Sequence, residues 1–378
     1  MAAVPAFAVG DRVEARTGPV AHGGHVVARV PAGTGSDQGA TVVVFVRHAL
    51  PGELVVVEIT GTAKRFFRGD AVEVLEASPE RVDAPCPLAH PGGCGGCDFQ
   101  HVSLPAQRAL KAAVVAEQLQ RLAGVDLDIE VEEVPGAPDG LHWRTRMQYV
   151  GLPDGSRGLR KNHSHDVIRV DECLIEAPGA RVVLTGEPPA TGTTTETVRD
   201  RSFQVATDGF WQVHPGAPEL LVATVMEMLA PQRGERAVDL YGGVGLFAAF
   251  LADAVGTTGS VLSIEADRRA SDLAALNLSE VKQAKVKAGR VDRVLTELDT
   301  MADVVVLDPP REGARKPVVD AVVDLAPRAI AYVACDPAAL ARDLAYFAER
   351  GFKLEALRAF DLFPMTHHVE CVALLTRP

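Results

Sequence analysis

Nowhere does the sequence hold the roughly 18 consecutive uncharged apolar residues that a membrane-spanning helix needs. Met1 to Arg16 also lacks the basic segment and apolar stretch that start a secretory leader. The expectation is a soluble, cytoplasmic protein with no membrane partner. An excess of positive charge is missing too: 38 Lys and Arg stand against 50 Asp and Glu, a net charge of −12. That excludes a polycation coating nucleic acid indiscriminately and leaves room for a local basic groove. Compositional bias is absent as well. With 47% hydrophobic and 23% charged residues, 34 Gly and 25 Pro, the chain has neither a disordered nor a fibrous composition.

What is there suffices for several cores, since 378 residues correspond to about two to four domains. From Phe7 to Ala77, the alternating segments DRVEARTG, HVVARV, TVVVFV, ELVVVEIT and DAVEVLEA, separated by Gly and Pro turns, predict a small five-stranded barrel. Pro85 to Gly96 is too rich in turn residues for a regular element and is a candidate ligand loop. LPAQRALKAAVVAEQLQRLAG places Leu104, Leu110, Val114, Val115, Leu119 and Leu122 at helical spacing, with Gly124 as its stop. The Thr-rich stretch Gly186 to Thr197 reads as a linker or loop. From about Arg233, short apolar runs (RAVDLYG, SVLSIEAD, ADVVVLDPP, AIAYVACDP) alternate with helical stretches and predict a parallel α/β sheet. Ligands of such sheets lie outside the carboxyl ends of the strands, which points to Asp239–Gly245, Glu265, Asp308 and Cys335.

Cysteine spacing carries more than cysteine number. Without a secretory leader, disulfides are the weaker explanation for the six cysteines. Seven residues separate Cys86 from Cys94, two separate Cys94 from Cys97, and 75 separate Cys97 from Cys173. Four such thiolates suit a tetrahedral zinc or a [4Fe–4S] cluster, and spacing does not choose between them. Leu141 to Val170 concentrates Arg144, Arg146, Arg157, Arg160, Lys161 and Arg169, with His142, His163 and His165, against Asp154 and Asp166. A solvated face and a phosphate-binding face both fit that composition.

In AVDLYGGVGLFA, Gly243 and Gly245 lie between a strand and a helix, where missing side chains admit a nucleotide-like ligand. Glu265 ends the next strand, where a carboxylate can accept both ribose hydroxyls. A dinucleotide and S-adenosylmethionine both satisfy these two features. LDPPREG (Leu307–Gly313), YVACDPAALARDL (Tyr332–Leu344) and FPMTHHVECVALL (Phe363–Leu375) separate them. These motifs resemble the S-adenosylmethionine-dependent uracil-C5 RNA methyltransferase family, and the resemblance extends over nearly the whole chain.

The resemblance implies an α/β class I methyltransferase domain with a Rossmann-like sheet over 201–378. An OB-like TRAM barrel over 1–78 and a small iron–sulfur or central RNA-binding domain over 79–200 would precede it. It also implies Cys335 as nucleophile and Glu370 as general base. Gln212, Tyr241, Glu265 and Asp308, with the glycines 243 and 245, would contact S-adenosylmethionine. Cys86, Cys94, Cys97 and Cys173 would hold a [4Fe–4S] cluster in preference to zinc, bracing the basic segment for phosphate contact. The implied partner is RNA, with no obligate protein partner evident. Ribosomal RNA of the 23S type comes before transfer RNA, because four cluster cysteines plus a barrel look more like the ribosomal members. Two positions depart from the family pattern: Cys335-Asp336-Pro337 stands for the usual Cys-Asn-Pro, and Leu246 stands where many members carry a polar residue.

The chemistry requires these residue types. Uracil C5 is too weak a nucleophile to take a methyl group from a sulfonium directly, so a thiolate adds at C6 and creates carbanion character at C5. A base must then remove the C5 proton so that the thiolate can leave. The target uracil must be unpaired or flipped, and Phe99, Phe363 and His367 are candidates to hold it. Cys371, next to Glu370, is expected to be a core hydrophobe facing the other way. Two other classes stay open on the sequence: a non-catalytic iron–sulfur RNA-binding protein and a nicotinamide dehydrogenase.

Overall fold

Alternation in the first 76 residues buries one side of each strand, and the strands close on that side. In the computed structural model, which describes residues 7–31, 41–162, 164–186, 191–298 and 300–377, they are β1 (Arg12–Ala21), β2 (His25–Pro31), β3 (Thr41–Arg47), β4 (Leu54–Thr62) and β5 (Phe67–Glu76). They form a closed barrel in the order β1-β2-β3-β5-β4. Val26, Ala28 and Val30 of β2 meet Val44 and Val46 of β3 and Val55, Val57 and Ile59 of β4 inside it. His163 lies outside the described residues.

Helix α1 (Leu104–Gln118) starts where expected because Ser103 caps it and Pro105 occupies its first turn. A π-helical turn (Leu119–Ala123) follows, ended by Gly124 at φ 66°. Then come β6 (Val131–Glu132), β7 (Arg144–Gly151), β8 (Arg157–Arg160), β9 (Val167–Arg169), β10 (Glu176–Thr185), β11 (Thr193–Val198) and β12 (Arg201–Ala206). Strands β10-β7-β8-β9 form a four-stranded sheet and β11-β12 a hairpin. The expected linker Gly186 to Thr197 is therefore corrected from Thr193 onward. Its β-branched threonines pair in register with β12, Thr193 opposite Ala206 and Thr195 opposite Gln204. Residues 187–190 of that stretch lie outside the described residues.

The remaining elements are α2 (Ala217–Leu229), β13 (Arg236–Leu240), α3 (Leu246–Val255), β14 (Ser260–Glu265), α4 (Arg268–Asn277), β15 (Ala284–Ala288), α5 (Val291–Thr296) and β16 (Val304–Leu307). After them come α6 (Arg315–Asp324), β17 (Ala329–Ala334), α7 (Pro337–Glu349), β18 (Lys353–Phe360) and β19 (Glu370–Thr376). The sheet runs β15-β14-β13-β16-β17-β19-β18-β6. Strands β16 and β17 are buried throughout, as central parallel strands covered on both faces must be. This is a Rossmann-like α/β architecture with one antiparallel strand pair beyond β17.

Elements that precede position 201 also pack on this sheet. The hairpin β11–β12 straddles position 200, and β6 adds to the sheet's edge beside β18. Val115 and Leu119 share a core cluster with Leu340, Leu344 and Phe347 of α7. No helix among the described residues is long and apolar enough to cross a membrane.

Candidate active site

Strand β13 ends at Leu240, and the chain turns through Tyr241–Gly245 into α3. Tyr241 takes φ 61° and Gly243 φ 53°, the left-handed region in which a tyrosine is held only by surrounding packing. A Cβ on Gly242 would lie 2.1 Å from Ser263 Oγ, so this turn needs bare backbone. The Gly243 N–H donates to Glu265 Oε2 at 3.0 Å and the Asp267 N–H to Glu265 Oε1 at 2.6 Å. Both carboxylate oxygens are thereby fixed, each with lone pairs left for hydroxyl donors. Gln212 Nε2 lies 3.5 Å from Asp308 Oδ2. Burial, then the neighbouring Asp239, pushes the Asp308 carboxyl up to about 7.

Gln212, Tyr241, Gly243, Glu265 and Asp308 line one cavity of about 1530 Å³. Gly245 does not. Its φ is 93°, and a Cβ there would come within 3.2 Å of Leu278, so it packs α3 against α4. Leu246 lines the cavity and, with Leu273 and Val291, gives it an apolar wall. A carboxylate fixed for vicinal hydroxyls, an open glycine turn and an apolar wall fit S-adenosylmethionine.

The same cavity reaches Cys335 and Glu370. Because β17 and β19 are antiparallel with Ala334 opposite Cys371, the residue leaving one strand and the residue entering the other meet at one edge. Burial, then Glu370 and Asp308, pushes the Cys335 thiol up to about 12. Glu370 is held well above the usual carboxylate range by burial and then by Asp308. Burial disfavours the charged form of both. Arg311 lines the cavity beside them, opposes the rise at Cys335, and lies 3.1 Å (Nη2) from His368 Nε2. Cys371 faces away and is fully buried.

Cys86, Cys94, Cys97 and Cys173 line the far end of this cavity. Cys94 feels Cys173 and Cys86, and Cys97 feels Cys173 and Cys94, although burial is the first cause of their raised pKa values. Amides already point at sulfur: the Gly96 N–H donates to Cys94 Sγ at 3.3 Å, and those of Ile175 and Glu176 to Cys173. Among the described residues, no three His, Cys, Asp or Glu side chains are arranged to hold one metal ion. A lone zinc would need its thiolates within roughly 4 Å of one another. The loop also grips the basic segment: Cys94 bridges Lys161, and the Gly95 N–H donates to the Arg160 carbonyl at 3.3 Å.

A family model described as tRNA (Uracil-5-)-methyltransferase matches residues 193–378, and one for the TRAM domain matches residues 7–72. An RNA methyltransferase of Streptomyces avermitilis is 44% identical, aligned over 97% of this chain and 98% of its own length. One of Streptomyces coelicolor is 43% identical over 98% and 94%, respectively. The chain belongs to this family of RNA methyltransferases. Its fold is similar to that of the tRNA (uracil-54, C5)-methyltransferase of Pyrococcus abyssi, solved with S-adenosyl-L-homocysteine. The TM-score is 0.70 at 20% identity, covering 96% of this chain and 100% of the other.

Within this family member, two of the three residues expected to hold a base are otherwise engaged. Phe99 is 4% exposed in a small core with Val20, Leu50 and Val102, and His367 Nδ1 donates to Asp98 Oδ2 at 2.5 Å. Phe363 does line the cavity, against Trp143 and His368. Phe210, which the sequence reading passed over, lines it with 66% of its surface exposed. Its place two residues before Gln212 was the available signal. Of the basic segment, Arg144 and Arg146 line the cavity, whereas Arg157 pairs with Glu176 and Arg169 with Asp154 and Asp171. Asp336 caps α7, its Oδ1 accepting the Ala339 N–H at 2.8 Å, which an asparagine could also do.

Proposed function

We propose that this protein methylates C5 of a uridine in RNA, using S-adenosylmethionine. The observation that carries the reading is the meeting of Cys335 and Glu370 at the wall of a cavity that also contains Glu265 and the glycine turn. Bound S-adenosylmethionine supplies an electrophilic methyl group, with Glu265 positioned for its ribose hydroxyls and Gln212, Tyr241, Gly243 and Asp308 around it. Cys335 adds to C6 of the uracil as thiolate, and C5 takes the methyl group as its bond to the sulfonium sulfur breaks, leaving S-adenosyl-L-homocysteine. Glu370 removes the C5 proton, and the C6–sulfur bond breaks to release Cys335. The raised pKa of Glu370 makes its carboxylate a strong base once the proton is lost. Phe210 offers a face for an unstacked base, and Arg144 and Arg146 offer donors for phosphate.

Cys86, Cys94, Cys97 and Cys173 would hold a [4Fe–4S] cluster, for which methyl transfer has no redox use. Its part is to fix the loop against the basic segment. Ribosomal RNA is the preferred substrate, on the joint presence of the barrel and the four cysteines. Transfer RNA is the second reading, favoured by the description of the matching family model and by the tRNA enzyme of similar fold. The test is methyl incorporation from labelled S-adenosylmethionine into 23S ribosomal RNA and bulk transfer RNA, with nucleoside analysis for 5-methyluridine. Labelled 5-methyluridine in one pool assigns the substrate. Label in neither, with active cofactor and unmodified RNA, overturns the reading.

A further inference from the structure

The barrel reaches into the active site. The turn between β1 and β2, His22-Gly23-Gly24, rests on the two loops that carry the reacting groups. His22 Nε2 donates to Asp336 Oδ2 at 3.0 Å, immediately after Cys335 in the chain. A Cβ on Gly24 would lie 2.7 Å from His367 Cβ, in the loop leading to Glu370, and Gly23 and Gly24 both take positive φ. The space left between the turn, Cys335, Asp336 and His367 is about 20 Å³, room for little more than one water. The barrel is thus seated with little slack against the nucleophile loop.

We propose that His22 is a positioning residue for methyl transfer: its imidazolium holds Asp336 and neutralises the carboxylate that stands beside Cys335. The proposal rests on the reading of Cys335 as nucleophile. An asparagine at 336 would cap α7 and carry no charge. Aspartate caps it equally well but sets a negative charge next to a thiol that must ionise, already facing Glu370 and Asp308 with Arg311 as the opposing cation. His22 supplies the missing countercharge. Its pKa is raised, first by the hydrogen bond to Asp336, and Glu117 adds to this while burial and Arg121 oppose it. Burial of Asp336 is outweighed by hydrogen bonds from His22 and the Ala339 amide, so the carboxylate stays ionised at neutral pH. The ion pair spans barrel and catalytic loop, and proper seating of the barrel therefore tunes the nucleophile.

Alkylation of Cys335 by iodoacetamide in the purified full-length protein at about pH 6.5, where a histidine raised above its ordinary 6.5 carries its proton, tests this, read by mass spectrometry of the Cys335 peptide. His22→Ala should slow alkylation by about three- to tenfold, as expected for uncovering one charge near a thiol. Asp336→Asn should react at least as fast as wild type, and the His22→Ala/Asp336→Asn double variant should recover the wild-type rate although it also lacks the barrel contact. A double variant as slow as His22→Ala would mean that His22 merely docks the barrel and overturns the proposal. Unchanged or faster alkylation in His22→Ala overturns it too. The assay reads the thiol and not methyl transfer, so it succeeds or fails independently of whether Cys335 is the nucleophile.

Discussion

Cys335 and Glu370 are separated by 34 intervening residues and meet because β17 runs into the cavity and β19 runs out of it, antiparallel, with Ala334 opposite Cys371. An all-parallel sheet would send the start of β19 to the opposite edge. Reversal of this strand places Glu370 beside Cys335 at the carboxyl end of the sheet, where ligands of such sheets bind.

On the proposed chemistry the two residues have separable roles. Cys335→Ala should abolish methylation and all covalent capture of RNA. Glu370→Gln should still permit addition and methyl transfer but strand the C5 proton, so a protein–RNA adduct carrying cofactor-derived label should survive denaturing electrophoresis. Normal turnover by Glu370→Gln would show that another group is the base.

Burial disfavours the charged form of both groups, and the proposed chemistry needs both deprotonated. Single-turnover methylation should therefore rise with pH between about 6 and 9, because only thiolate adds and only carboxylate accepts the C5 proton. A rate that falls across this range, at saturating RNA and cofactor, would contradict the assignment.

At the cofactor end, Glu265→Ala should weaken S-adenosylmethionine binding by roughly 1.5–3 kcal/mol, the usual worth of hydrogen bonds to a charged group. Titration calorimetry measures this, with circular dichroism to check that the fold is kept. Equal affinity would place the ribose elsewhere, with Asp308 the next carboxylate to test.

For the cysteines, anaerobically purified protein should be brown and contain iron and labile sulfide, and Cys94→Ser or Cys97→Ser should lose both. Stoichiometric zinc without iron would assign the four thiolates to a tetrahedral ion instead.

Below the loop that carries Glu370 lies a buried ion pair. Lys111 of α1, 0% exposed, donates to Asp361 Oδ1 at 2.5 Å and to the Phe363 carbonyl at 3.0 Å. Lys111→Met should cost roughly 3–5 kcal/mol, because it strands a carboxylate in the core. Adding Asp361→Leu should return much of that loss. Denaturant unfolding of the single and double variants measures both.

Family resemblance alone pointed to Cys335 and Glu370 as nucleophile and base, and the sequence by itself determined the barrel strands, α1 with its stop at Gly124 and the alternating strands and helices. Each is written locally: period-two burial in Val26, Ala28 and Val30, a Ser103 cap, an apolar run ending at Asp308 or Cys335. Tertiary structure decided what met what. Phe99 reads like any exposed loop aromatic until α1 covers it, and the threonines from Thr193 read as linker until β12 offers a register. His22 and Asp336, 313 residues apart in between, leave no mark in composition or spacing. Contacts between a barrel turn and a distant loop depend on how two separately patterned cores pack. A polar side chain that will be half-buried in that packing looks, in sequence, like any other residue on a solvated turn.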